Sequence, residues 1–354
     1  MAYLLAGDLG GTKTLLSLVI PASADAIAHS GSEKLATFQQ SYRSQAYSSF
    51  VPLVEQFLAD AQTHLAGEIT VSSACFGIAG AVIDRSSYLP NLDWHIDADR
   101  LQSELNIPQI SLINDFVAIG YGISCLSAAD VHTIQAGQPR VNAPIAVIGA
   151  GTGLGQCFLV YNGNDYQVVA AEGGHTDFAA RSTREFELYQ YLCQHKQLDR
   201  ISNERVISGS GIVAIYQFLR DTSNLSETPE VASVVKAWES QSATATDPAA
   251  LISACAIAKT DPLCEATMAM FISAYGAEAG NLALKILPYG GLYIAGGIAT
   301  KNLPLFGDGT FLGAFNHKGR VSNLLTNIPV RVILNPQVGL LGALDRAAKL
   351  RIDA

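Results

Sequence analysis

The sequence predicts an α/β protein made of two related domains whose facing loops form a substrate cleft, and three observations lead there. Two glycine-rich segments of one chemical type, Asp8-Leu-Gly-Gly-Thr-Lys-Thr14 and Gly149-Ala-Gly-Thr-Gly-Leu-Gly155, each follow an apolar strand-like run, Tyr3-Leu-Leu-Ala-Gly7 and Ile145-Ala-Val-Ile148. The order hairpin, glycine turn, third strand, helix occurs twice, once from the start and once from residue 145. The length, 354 residues of which 49% are hydrophobic, is enough to fill two cores and too much for one small domain.

Residues 3–20 read as a β-hairpin around Gly10-Gly11, and residues 27–42 supply a third strand. The apolar spacing of residues 50–65 is that of an amphipathic helix, and strands recur at 70–78 and 109–113. Asn114-Asp115 ends that last strand, and Phe116 to Ile123 reads as a helix. The second round gives a hairpin partner at 157–161, a strand at 166–171 and helices across 183–220. Residues 221–262, rich in Ser, Thr, Asp and Pro, break the pattern as surface loops around short helices. A long helix from Pro262 to Leu287, strands at 292–295 and 331–334, and a helix from Val338 to Leu350 complete the chain.

A net charge of -9 with no lysine or arginine run leaves no electrostatic footprint for nucleic acid or an anionic membrane. No apolar stretch is long enough to cross a bilayer. The six cysteines contain no C-x-x-C pair and most lie in apolar surroundings, so they read as buried thiols. Together with an N-terminus that runs directly into a strand, this points to a soluble chain of the cytoplasm.

Glycine brings backbone N–H groups close to an anion and threonine adds a hydroxyl, so each glycine segment suits one end of a polyphosphate. Asp8 would repel such a ligand unless a cation lay between them, which implies Mg²⁺, bound to Asp8 through water. Leu154 stands where a dinucleotide fingerprint requires Gly or Ala, so a nucleoside triphosphate is favoured over a redox cofactor. Asp115 falls beyond the carboxyl end of a strand, where ligands collect in open α/β sheets, but an Asp there also serves as a helix cap. Glu172-Gly-Gly-His175 aims a carboxylate and an imidazole into one space and so can grip adjacent hydroxyls. Glu204 by itself reads as a helix-start charge.

The succession Gly7-Asp-Leu-Gly-Gly-Thr-Lys13, Leu112-Ile-Asn-Asp115-Phe, Gly149-Ala-Gly-Thr-Gly-Leu-Gly155, Glu172-Gly-Gly-His175-x-Asp-Phe178, Glu204-Arg-Val-Ile-Ser-Gly-Ser-Gly211 and Ala295-Gly-Gly297 resembles the bacterial ATP-dependent glucokinases. These belong to the sugar kinase, Hsp70 and actin superfamily, so the resemblance implies two actin-like, ribonuclease H-like α/β domains flanking the cleft. It implies a small domain of residues 1–114 with about 338–354, and a large domain of 115–337 carrying the 221–262 segment as an expansion without family motifs. It also implies phosphorylation of glucose with ATP and Mg²⁺, Asp115 as general base, and Asn114, Glu172, His175 and Glu204 as sugar ligands. Gly7, Asp8, Gly10, Gly11, Thr12 and Lys13, with Gly149, Gly151, Thr152 and Gly153, would form the two phosphate loops, and Gly296-Gly297 part of an adenosine pocket. The family often forms homodimers.

Ala81 departs from the proline common in related sugar kinases. The neighbouring repressor/ORF/kinase group usually carries a cysteine-rich zinc motif after the histidine; residues 176–200 hold only Cys193, which argues against that group. The alternatives are a kinase for another hexose, such as mannose or glucosamine, and a non-catalytic sugar-responsive regulator of the same fold.

Overall fold

Residues 2–20, 36–240 and 246–350 are described by a computed structural model of the chain. The first hairpin pairs β1 (Ala2–Leu9) with β2 (Lys13–Val19), and its register, Leu9 opposite Thr14, leaves Gly10 to Thr12 as the turn. Strand β3 (Phe38–Arg43) follows; the earlier part of the expected third strand, up to residue 35, lies outside the described residues. Helix α1 (Phe50–Leu65) buries Phe50, Leu53, Val54, Phe57 and Ala61, the one-sided spacing of an amphipathic helix.

Strand β4 (Thr70–Ile78) lies parallel to β1. A two-stranded hairpin, β5 (Ser86–Leu89) and β6 (Trp94–Asp97), leads into α2 (Ala98–Leu105), whose first turn is capped by Asp97 accepting from the Arg100 N–H. Strand β7 (Ile110–Asn114) then runs into α3 (Asp115–Gly122). The resulting sheet has the order β3-β2-β1-β4-β7.

The second sheet draws on β8 (Val131–Gln135), β9 (Ile145–Ala150), β10 (Leu154–Tyr161), β11 (Tyr166–Ala171), β12 (Gly291–Ala295) and β13 (Val330–Ile333). Its order is β11-β10-β9-β12-β13-β8. Apart from β8 this repeats the first sheet strand for strand, the duplication that the paired glycine turns predict.

Helices α4 (Thr183–Lys196) and α5 (Gly209–Thr222) follow the third strand, then α6 (Pro229–Glu239) and α7 (Pro248–Ala258) within the motif-free segment. Helix α8 (Pro262–Ile286) is capped by Asp261 and starts on Pro262, whose missing N–H costs nothing there. The short helices α9 (Gly297–Lys301), α10 (Leu303–Gly307), α11 (Thr310–Asn316) and α12 (Ser322–Leu325) precede β13, and α13 (Val338–Leu350) ends the described chain.

Two compact units result: Met1–Val131, Asn162–Ala170 and Leu334–Ala354 in one, His132–Tyr161 and Ala171–Ile333 in the other. The division therefore falls later than the 114/115 boundary expected from sequence, and close helix packing explains why. A Cβ on Gly342 of α13 would lie 1.8 Å from the Ala118 carbonyl of α3, and one on Gly122 would lie 2.0 Å from that of Val338. Only glycines let the two backbones approach so closely, and this holds α3 to the first unit.

Within that unit β1 is buried on both faces. Leu5 and Leu9 pack with Phe50 and Phe57 of α1, while Ala6 on the opposite face packs with Leu340, Ala343 and Leu344 of α13. Among the cysteines, Cys75, Cys125, Cys157 and Cys264 are buried, and Cys193 and Cys255 are half-buried. Among the described residues no helix is long and apolar enough to cross a membrane.

Candidate functional site

In the first unit the site is built on the carboxyl ends of β1 and β7. The β1–β2 turn is closed by the Gly10 N–H donating to Lys13 O at 3.0 Å. It is laced from beneath by buried Ser44, whose hydroxyl donates to Gly10 O at 2.8 Å and meets the Thr14 hydroxyl at 2.9 Å. Thr12 and Lys13 stand exposed on top. Gly7 lies inside the buried strand instead, where a Cβ would come within 2.7 Å of Leu16 and 2.8 Å of Phe76. Its small size serves sheet packing.

Strand alternation turns Asp8 toward the face occupied by α3 and α13, and Asp115 opens α3 on that side. Although the Asp8 side chain is accessible, the protein packed around it holds its carboxyl above the usual carboxylate range. Burial pushes Asp115 further, up to about 6, and the neighbouring Asp8 charge adds to the rise. Asn114 does most of the capping: its Oδ1 accepts from the Phe116 and Val117 N–H groups at 2.9 and 3.3 Å. Its Nδ2 donates to Gly80 O at 3.1 Å, tying down the turn in which Ala81 departs from the usual proline. Asp115 also accepts from Phe116 N–H, through Oδ1 at 2.9 Å.

In the second unit the β9–β10 turn Gly151-Thr152-Gly153 is closed by Gly151 N–H donating to Gly153 O at 2.8 Å. The Gly209 N–H, the first of α5, donates to Gly151 O at 2.9 Å, so the turn adjoins the positive end of that helix. Below it, the hydroxyl of fully buried Tyr275 accepts from Ala150 N–H at 3.0 Å and holds the end of β9. Gly149 is buried within β9, like Gly7 within β1.

Glu204 reaches this turn from a short helical turn at Asn203–Arg205: its Oε2 accepts from Leu154 N–H at 2.9 Å and fills the space where a Cβ on Gly153 would sit, 2.4 Å away. The Glu172-to-His175 turn seats on the same residue, because a Cβ on Gly174 would lie 2.0 Å from Leu154 O. Asn203 joins the two turns, its N–H donating to Thr176 O at 2.9 Å and its Nδ2 to Thr176 Oγ1 at 3.0 Å. Glu172 and His175 are both exposed, with Nε2 of His175 3.7 Å from Oε2 of Glu172. The fold thus gathers Glu172, His175 and Glu204 at one strand end.

The other side of the 151–153 turn opens on a cavity of about 630 Å³. Gly151, Thr152, Ser210 and Gly297 line one part of it, and neither Gly151 nor Gly297 has any atom within 4 Å of an added Cβ. Gly296, at φ +91°, lets the chain pass 2.5 Å from Ala150 O where a Cβ would be, a backbone state that side chains disfavour. An apolar part of the wall is formed by Trp238 of α6 with Ala249, Ala254 and Ile257 of α7, while Asp247, Ser253, Lys301 and Asn302 add polar groups. The apolar residues come from the 221–262 segment, and no sequence signal marked them, because a cavity wall needs shape and apolar surface more than any motif.

The family model described as glucokinase matches residues 5–350 of the chain. A glucokinase of Nostoc punctiforme is 53% identical over 99% of this chain and 100% of its own length, and one of Synechocystis is 48% identical over 98% of each. The crystal structure of a glucokinase from an Antarctic psychrotroph superposes with a TM-score of 0.77 at 27% identity, covering 99% of both chains.

Proposed function

The chain belongs to the glucokinase family, and on that premise we propose that it transfers the γ-phosphoryl group of ATP to the 6-hydroxyl of glucose in the cytoplasm. The observation that carries the mechanism is the Asp115 carboxyl, placed at a strand end and raised to about 6. At neutral pH it is mostly ionised yet basic enough to take a proton, the condition for general-base catalysis. As the sugar oxygen bonds to phosphorus, its proton passes to Asp115, and the electron pair of the breaking P–O bond leaves with ADP. Asn114 keeps the first turn of α3 in place, and its second amide hydrogen is left for a sugar hydroxyl.

Glu172 and His175 take the sugar hydroxyls, and Glu204 fixes the glycine turn from the sugar side while keeping its other carboxylate oxygen for the ring. Gly151, Thr152 and Ser210, the last in the first turn of α5, hold phosphate oxygens, and the nucleoside fills the cavity between Gly297 and α7. In the first unit, the turn of Gly10, Gly11 and Thr12 offers backbone N–H groups and a hydroxyl of the kind that binds phosphate.

Asp8 supplies a hard oxygen donor near Asp115, whose carboxyl its charge helps to raise, an arrangement suited to Mg²⁺, which is held by one or two carboxylates together with phosphate oxygens. When bound, Mg²⁺ neutralises the phosphate oxygens as charge develops on them. Asp8 would hold it through water.

Coupled turnover with ATP and Mg²⁺ over a panel of hexoses tests the proposal. Glucose is expected to give the highest kcat/KM and glucose 6-phosphate as product; preference for mannose or glucosamine would reassign the substrate, and absence of turnover with every hexose would end the kinase reading.

A further inference from the structure

We propose that Glu278, in the middle of α8, is a positioning residue for the sugar-binding turn, acting through Gln156; this rests on the reading that Glu172 and His175 bind glucose. Glu278 is only 3% exposed, in a helix whose surrounding positions are filled by apolar side chains. Both of its carboxylate oxygens are engaged. Oε1 accepts from Gln156 Nε2 and Oε2 from Asn281 Nδ2, each at 3.1 Å. Asn281 Oδ1 accepts in turn from Lys318 Nζ at 2.5 Å, and that ammonium also donates to Ala277 O at 2.9 Å.

A buried carboxylate is a poor stabilising element, since apolar side chains of similar volume usually serve a core as well or better. What this one fixes is shown by where the network leads. Gln156, 2% exposed on β10, follows Leu154 by two residues and so points to the same side of the strand. Its amide lies directly against Gly173: a Cβ there would come 1.9 Å from Gln156 Oε1. The Gly173-Gly174 turn therefore rests on two supports, the Gln156 amide and the Leu154 carbonyl, with no side chain between.

The Leu154 support is backbone of a strand paired in register with β9, but the Gln156 support is a side chain with rotatable bonds. Glu278 locks its rotamer. Without that bond the amide can swing away from Gly173, and the turn carrying Glu172 and His175 loses half its seat. A displacement of about 1 Å at a substrate-positioning group can cost roughly 10²-fold in rate.

The test compares Glu278→Gln, which keeps volume and one acceptor but removes the charge and places an amide NH₂ against a neighbouring one, with Gln156→Leu, their double mutant, and Glu172→Gln. Expected is a rise in glucose KM of at least about tenfold for Glu278→Gln, with ATP KM within about twofold of the parent. The double mutant should match Gln156→Leu alone, because both changes break one chain of contacts. If Glu278→Gln leaves glucose KM within twofold while Glu172→Gln raises it, the inference falls and the sugar-site reading stands. If Glu172→Gln leaves glucose KM unchanged, the sugar-site reading falls and takes the inference with it. Equal losses for glucose and ATP, or additive effects in the double mutant, would show a general structural role and overturn the proposal.

Discussion

The two glycine turns occupy the same place in two sheets of matching strand order, yet each meets its acid by a different route. In the first unit the acid is local: Asp8 sits on the strand that enters the turn, and the turn is braced by the hydroxyls of Ser44 and Thr14. In the second unit the turn carries no acid, and Glu204 is brought to it from 50 residues further on, braced against the Leu154 N–H. The difference separates an acid written into the turn's own strand from one delivered by the tertiary structure. Asp8 needs only the strand that carries it, whereas Glu204 is held against the turn by the Leu154 N–H it accepts from, a partner that only the fold supplies.

The largest effect should come from the acid whose proton affinity is raised most visibly. Asp115→Asn keeps the oxygen that accepts from Phe116 N–H and removes the base, so kcat should drop by about 10²–10⁴ with glucose binding little changed, as measured by turnover alongside calorimetric titration. A loss below tenfold would return Asp115 to a role as helix cap.

Glycine replacements separate ligand space from packing space in the second turn. Gly151→Ala meets no atom of the protein within 4 Å, so thermal stability should shift by less than about 0.5 kcal/mol while ATP KM rises, because the methyl group takes room in the cavity. Gly153→Ala would place its Cβ 2.4 Å from Glu204 Oε2 and evict that carboxylate, lowering stability by about 1–3 kcal/mol and weakening glucose use. Identical kinetic and thermal profiles for the two variants would remove the distinction between the two sides of the turn.

In the pH dependence, kcat/KM for glucose should fall as pH drops through about 6, since only ionised Asp115 can accept the proton. Stability should move the other way. The folded carboxyl binds its proton more tightly than the unfolded one, whose ordinary value is 3.8, so between 3.8 and about 6 the native state holds the extra proton and loses stability as pH rises. Asp115→Asn should therefore stabilise the protein at pH 7.5 by on the order of 1 kcal/mol and not at pH 4, read from urea unfolding at the two pH values.

Legibility in the sequence follows how local each cause is. Helix α1 and helix α8 were readable because their apolar spacing and their ends, Pro262 after Asp261 for example, are written within the segment itself. The β5–β6 hairpin and strand β8 were not. Strand β8 has the burial pattern of a weak edge and is held by partners far along the chain, with Gln135 Nε2 donating to Leu325 O and Ile328 O at 2.8 Å. Within the site, Glu172 and His175 were legible because two glycines between them specify a tight turn. Glu204 alone looked like an ordinary helix-start charge, since nothing near it in sequence announces that its partner is the Leu154 N–H.

The sequence by itself determined the chemistry on offer: two glycine turns after strands, an acid at the end of β7, and a carboxylate–imidazole turn. Backbone conformation and apolar periodicity are local properties, and a few residues suffice to specify them. Only the tertiary structure decided which of those residues have room to act. Gly7 and Gly149 share the motif with Gly151, but the first two are enclosed within strands and the third opens on a cavity whose far wall is the motif-free helix α7. Free space and proton affinity depend on every atom that surrounds a group, and most of those atoms belong to residues distant in the chain.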